Sequence, residues 1–278
     1  MKKNVLITGC STGLGRSVAL LLAASGWRVF AGVRKAADAK SLQAEAEGEL
    51  TPLLFDVARP DALAQAIETL RQATGGELHG LINNAGVYLG GPLELMKPEE
   101  IELTFAVNVT GLLAVTRGCL PMLRAAQGRI VNISSISGLI AMPGVSVYAG
   151  SKHAVEAITD SLRIELHPFG VKVVAVEPGG IKTPIWEKGA KRDQEAADDA
   201  ATAELRKAYA PLLKLLHKLN ARPGGLPPED VAKVVIEALE SDRPKNRYLV
   251  GKDARSLALL GRLPDALRDR AIIGKVWR

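Results

Sequence analysis

Short runs of apolar and β-branched residues alternate along this chain with longer stretches in which apolar positions fall three or four apart. The short runs cover 4–8, 28–33, 50–55, 78–83, 129–134, 171–176 and 247–250, and their length and composition predict strands. The longer stretches cover 13–25, 38–47, 61–73, 98–125, 147–167 and 228–240, and their period predicts helices. Strand followed by helix, repeated throughout, predicts a doubly wound α/β fold: a mostly parallel seven-stranded sheet with helices on both faces. One region breaks the alternation. From 185 to 226 come Trp186, the charged run KRDQEAADD, the amphipathic LRKAYAPLLKLLHKL at 205–219 and the break ARPGG, which together predict an inserted helical flap over the strand ends. No linker divides the chain, so 1–278 is expected to form one domain, with 252–278 as a C-terminal extension.

Composition narrows the function classes. No apolar stretch is expected to reach the ~20 residues that span a bilayer. The apolar run in MKKNVLITG is too short for a signal peptide, so a cytoplasmic protein is expected. The net charge of +6 is scattered rather than interleaved with aromatics, which reads as solvated surface and not as a nucleic-acid face. Cys10 and Cys119 have neither disulfide nor zinc spacing, and no metal site is expected. From Asp253 onward six basic residues face three acidic ones, mixed with Leu257, Leu259, Leu260 and Ile272. That tail is expected to pack on its own domain, with contact to a membrane surface as the alternative.

In doubly wound sheets, ligands bind beyond the carboxyl ends of the strands. The first such position here reads TGCSTGLG, with Gly9, Gly13 and Gly15 around Ser11, Thr12 and Leu14. The spacing is not G-x-G-x-x-G, yet strand, tight turn and helix N-terminus are the setting in which free amides attract a pyrophosphate. After the second strand stand Arg34 and Lys35, where an NAD-binding site would carry an acid. A guanidinium there suits a 2′-phosphate, so NADP(H) is favoured over NAD(H).

Tyr148 and Lys152 lie four apart, on one face of a predicted helix. A phenol titrates near ~10 in water, and a neighbouring ammonium with a cationic nicotinamide would stabilise its anion. Ser135 follows a predicted strand 13 residues earlier, and Asn108 stands among apolar neighbours in FAVNVTG. A serine hydrolase would need a nucleophile elbow together with an acid and a histidine later in the chain. A protein that only senses NADP(H) would not need the acid-base set.

Taken together, TGCSTGLG, the DV of FDVA, NNAG, Asn108, Ser135, YAGSK and PGGIKT resemble the short-chain dehydrogenase/reductase family, in its compact branch, over residues 4–251. The resemblance implies a Rossmann-like fold and assigns roles. Tyr148 would exchange a proton, Ser135 would orient the carbonyl or hydroxyl, Lys152 would lower the Tyr148 pKa and bind the nicotinamide ribose, and Asn108 would hold a water. The glycine turn would take the pyrophosphate, Asp56 and Val57 the adenine, and Asn84, Ala85 and Gly86 the floor of the cofactor site. Pro178, Gly179, Ile181 and Thr183 would meet the nicotinamide carboxamide. Leu89, Leu139, Met142, Val145, Ile185 and Trp186 are the expected substrate walls, beside Ser135 and Tyr148. Their apolar character resembles members acting on steroid-, retinoid- or lipid-like alcohols and ketones; a small polar substrate with NAD(H) is the alternative. By the same analogy a homo-oligomer is expected, through the helices at 98–125 and 147–167.

Overall fold

The computed structural model describes residues 2–183, 200–220 and 225–277. Its strands are β1 (Asn4–Ile7), β2 (Arg28–Val33), β3 (Leu50–Leu54), β4 (Gly80–Asn83), β5 (Arg129–Ile133), β6 (Lys172–Pro178) and β7 (Arg247–Val250). They form one sheet in the order β3-β2-β1-β4-β5-β6-β7, and every pairing is parallel. The chain winds outward from β1 to β3, returns to lay β4 against β1, and then winds the other way. The progression therefore reverses between β1 and β4, and a crevice opens beyond their carboxyl ends.

Strand sequences explain why both faces are covered. Side chains alternate across a strand, and in β1 Val5 and Ile7 enter one apolar cluster while Leu6 enters the other. The helices are α1 (Gly13–Ala24), α2 (Ala36–Glu45), α3 (Pro60–Thr74), α4 (Pro98–Phe105), α5 (Leu112–Ala125), α6 (Ser146–Glu165), α7 (Ala200–Ala208), α8 (Ala210–Asn220), α9 (Pro228–Glu240), α10 (Lys252–Gly261) and α11 (Asp265–Val276). Leu14, Val18 and Leu22 of α1 and Val231, Val235 and Leu239 of α9 cover one face. Leu63 and Leu70 of α3 and Val115, Cys119 and Leu123 of α5 cover the other. Local signals set the ends: α3 starts on Pro60, whose missing N–H costs nothing there, and stops at Gly75 with φ +64°.

Three expectations change. The run 98–125 is helical throughout but opens into a π-helical turn at Ala106–Gly111. An 18-residue window within it has a mean hydropathy of 1.4, so by length and composition alone it is long and apolar enough to cross a membrane, contrary to the sequence reading. Here one face of it packs on the sheet, where Val115, Met122 and Leu123 are buried. The amphipathic run 205–219 is not one helix, because it spans the end of α7, a turn at Tyr209 and most of α8. Pro211 accounts for the break, since it has no N–H to continue the ladder and its ring meets the preceding turn. The tail forms α10 and α11, and it packs on its own chain. Ala254, Leu257 and Leu260 lie against Ile136 and Ile140, and Ile272 and Val276 against Leu212 and Leu216.

Candidate active site

The floor of the crevice is a buried polar network that joins the site's elements. Asn83 at the end of β4 donates to Asn132 Oδ1 and Thr116 Oγ1, both at 2.9 Å, and Asn132 donates to Thr159 Oγ1 of α6 at 2.9 Å. Buried amides and hydroxyls are costly unless paired, so this chain fixes the relative position of β4, β5, α5 and α6. Beside it, Thr8 Oγ1 accepts the N–H groups of Asn84 (3.0 Å) and Ala85 (2.9 Å), and Asn84 Nδ2 donates to the carbonyls of Thr8 (2.9 Å) and Gly9 (3.1 Å).

This bracing revises the reading of the glycines. Gly9 and Gly13 have positive φ, +74° and +60°, as the turn requires. A Cβ at Gly9 would lie 2.8 Å from Ala85 Cα, and one at Gly15 2.3 Å from Asn84 Nδ2. What presses on these two positions is the chain's own β4 loop; at Gly13 it is Thr183, 2.9 Å from the Cβ position. The feature suited to an anion is instead the start of α1, which has no side-chain cap from Thr12 and no acid in its first turn. Leu14 is a core residue, so only its backbone is available to a ligand. The uncapped amides at the start of α1, presented by a turn with positive φ at Gly9 and Gly13, fit a pyrophosphate.

Tyr148 and Lys152 project from α6, and Ser135 follows β5. The Ser135 hydroxyl accepts the Ser137 N–H at 3.1 Å and acts on the Tyr148 phenol. Lys152 Nζ donates to the Ile133 carbonyl at 2.9 Å and lies 5.8 Å from the centre of the Tyr148 ring. Burial pushes the Tyr148 hydroxyl up to about 12, with the Ser135 hydrogen bond opposing. Burial likewise brings Lys152 down to about 8, with Glu156 opposing. Burial therefore outweighs the Ser135 hydroxyl, and the lowering expected from the spacing, which counted a cationic nicotinamide as well as Lys152, does not come from these side chains alone.

Asn108 sits in the π-helical turn with only 2% of its surface exposed. Its amide donates to the Val87 carbonyl and to Ser151 Oγ, both at 3.0 Å, and accepts the Val87 N–H at 2.8 Å. The two bonds to Val87, 21 residues away, hold the widened turn against the β4 loop, and the third ties it to α6. Asn108 Oδ1 and Lys152 Nζ both come within 4 Å of one point, the Cβ position of Gly86.

At the other end of the cleft, Arg34 Nη1 is 3.8 Å from Asp56 Oδ2, and Arg34 is 60% exposed. Asp56 also accepts the Ala58 N–H at 3.0 Å. Arg34, Asp56 and Arg59 line one open groove. Lys35 is exposed at the start of α2, and Val57 packs toward Gly111. Arg59 was missed in the sequence, although its place just beyond the third strand was a usable signal.

The apolar walls divide. Leu89 and Val145 are half-buried, and Leu139 is exposed. Met142 instead packs against the clusters that fasten α8, α10 and α11, a structural role. Ile185 and Trp186 lie outside the described residues. Tyr88, unforeseen in the sequence, meets the Tyr148 ring edge to face with centroids 5.0 Å apart. Also unforeseen is a carboxylate cluster on and beside α6. Arg247 bridges Glu156 (3.1 Å), Glu177 (3.1 Å) and Asp160 (2.7 Å). Burial and Glu156 push the Glu177 carboxyl up to about 7, against the pull of Arg247. Periodicity carries no trace of either feature, because each depends on which elements become neighbours.

Comparison with known proteins agrees with this geometry. A family model described as short chain dehydrogenase matches residues 3–194. The NADPH-dependent 3-dehydrocapnine reductase of Ornithobacterium rhinotracheale is 36% identical over 275 residues, 96% of this chain and 95% of that protein. The 17-beta-hydroxysteroid dehydrogenase type 6 of Bos taurus is 36% identical over 284 residues, 99% of this chain and 89% of that protein. The solved structure of ElxO with NADP bound aligns with a TM-score of 0.71 at 28% identity, over 89% of this chain and 96% of that one.

Proposed function

The chain belongs to the short-chain dehydrogenases, oxidoreductases of alcohol and carbonyl groups, and from that premise we propose that it interconverts an apolar ketone or aldehyde and its alcohol with NADP(H). The observation that carries the reading is the convergence of Tyr148, Ser135 and Lys152 beyond the carboxyl end of β5, with Lys152 Nζ on the Ile133 carbonyl and the Ser135 hydroxyl favouring the ionised phenol. In the reductive direction Ser135 orients the carbonyl oxygen and Tyr148 gives it a proton. A phenol raised to about 12 remains protonated at neutral pH, so the resting site is poised as an acid. Oxidation asks Tyr148 to lose that proton, and the Lys152 ammonium favours the resulting anion. A water between Asn108 Oδ1 and Lys152 Nζ is the proposed route by which the proton is exchanged with solvent. When bound, the nicotinamide supplies hydride to the carbonyl carbon or takes it back.

Residues for the cofactor follow from the same geometry. The first-turn amides of α1 would hold the pyrophosphate, and Arg34 with Arg59 would hold a 2′-phosphate beside Asp56. The NADPH of the 3-dehydrocapnine reductase and the NADP of the ElxO structure support this choice. An apolar substrate is supported by Tyr88 against the Tyr148 ring, by the apolar Leu89 and Val145 close to these two tyrosines in sequence, and by the steroid named for the Bos taurus relative. Exposed Leu103, Phe105 and Leu113 on α4 and α5 support a second copy of the chain as a partner, to be tested by sedimentation. Exposed Leu267, Ile273 and Trp277 near Arg270 support contact of the tail with an anionic lipid surface, to be tested by vesicle flotation. The function itself is tested by a panel of steroid, retinoid, long-chain and small polar carbonyls, following reduced-nicotinamide absorbance with NADPH and NADH side by side. Turnover of apolar carbonyls with NADPH is expected. Turnover of only small polar ones, or a preference for NADH, would overturn the reading.

A further inference from the structure

The loop that follows β6, from Pro178 to Thr183, is gripped from two sides. On one side Leu226 donates to the Gly180 carbonyl and accepts the Lys182 N–H, both at 2.9 Å. On the other side stands Asp253, in the first turn of α10, whose carboxylate oxygen Oδ2 accepts the Gly180 N–H at 2.8 Å. Two glycines make room for that carboxylate. A Cβ at Gly179 would fall 2.3 Å from Oδ2, and one at Gly251, where φ is +112°, would fall 2.4 Å from Oδ1. Gly179 in turn donates to the Val250 carbonyl at 2.9 Å, and Thr183 closes the far end against Gly13. The C-terminal extension thus reaches back, through one charged side chain, into a loop that runs from β6 to the glycine turn.

We propose that Asp253 is a positioning residue for the nicotinamide half of the cofactor, fixing the Gly179–Gly180 backbone in the shape that receives it. This rests on the cofactor reading above. An ionised acceptor makes a stronger bond to a backbone N–H than a neutral one does, and glycines that could otherwise adopt many conformations are held in one. The acid also complements the dipole at the start of α10, but that role alone would affect the whole fold and not one half of a ligand.

Binding of two probes separates these roles: NADPH, and adenosine 2′,5′-bisphosphate, which carries the adenine and 2′-phosphate but no nicotinamide. Asp253→Ala should weaken NADPH binding by about tenfold, the scale of one charge-assisted hydrogen bond, and leave the bisphosphate unchanged. Asp253→Asn, which keeps an acceptor oxygen, should restore most of the loss. Should Asp253→Ala fail to fold, Asp253→Glu supplies the test. Its longer arm has no room beyond Gly179 and Gly251, and it should show the same split. Equal losses for both probes, or no loss for NADPH in a folded variant, would overturn the proposal. A parent protein that binds neither probe would instead overturn the cofactor reading on which it rests.

Discussion

The two ends of the cleft are built on opposite principles. At the adenine end, Arg34 and Arg59 are exposed, and the Arg34 to Asp56 distance of 3.8 Å makes a loose, solvent-screened pair. At the catalytic end, Ser135 and Lys152 are buried, and Tyr148 is shifted by loss of solvent. Exposed charges can select a charged ligand from solution, and each can be lost at modest cost. Buried groups cannot be exchanged so cheaply, because a low dielectric magnifies each pairing and each unpaired group. On the proposed function, recognition and chemistry are thereby separated along one cleft, and substitutions at its two ends should fail differently.

The largest effect is expected at Tyr148. Tyr148→Phe removes one hydroxyl and should lower turnover by ~10²–10⁴ while cofactor affinity stays nearly unchanged. Steady-state rates and NADPH titration check both halves of that statement. Next comes the pH response of the buried end. Lys152 is held down to about 8, so its charge is lost as pH rises through that value. Turnover that depends on the ammonium should then fall above pH 8, and Lys152→Arg, which keeps its charge, should move that limb upward.

A smaller effect is expected at the exposed end. Arg34→Ala should weaken NADPH by about 1.5 kcal/mol, the low end for a charge-assisted hydrogen bond, and NADH much less. Its effect should shrink further in high salt, which a buried contact would resist. Equal losses for the two cofactors would mean that Arg34 does not read the 2′-phosphate. The smallest effect concerns stability. Glu177 ordinarily titrates near 4.5 but is raised to about 7 in the fold. Between those values the folded chain holds more protons than the unfolded one, so this group makes stability fall as pH rises through the window. Thermal unfolding from pH 4.5 to 7 should show a shallower decline in Glu177→Gln than in the parent.

Much of the proposed catalytic end was legible because the chemistry proposed for it needs particular residue types at particular spacings. Tyr148 and Lys152 are separated by one helical turn, and Ser135 follows a strand whose apolar run is unmistakable. The seven strands and the main helices were legible for the same reason, since burial on two faces leaves continuous apolar runs. Less legible was anything set by contact between distant segments. The π-helical turn depends on Asn108 meeting Val87, the Glu177 cluster on β6 and β7 lying beside α6, and the Asp253 clamp on the tail folding back. The glycines show the limit most clearly. Their number was readable as a demand for close approach, but at Gly9 and Gly15 the approaching group is Asn84 with Ala85, which no local pattern could identify.

The separation of recognition from chemistry is tested most directly by single-turnover hydride transfer, followed by NADPH absorbance with cofactor and an accepted ketone both saturating. Arg34→Ala, once saturated, should react at close to the parent rate, while Tyr148→Phe should be slower by about a hundredfold or more. A Tyr148→Phe variant that retains more than about a tenth of the parent rate, or an Arg34→Ala variant slowed as much as Tyr148→Phe, would contradict the account.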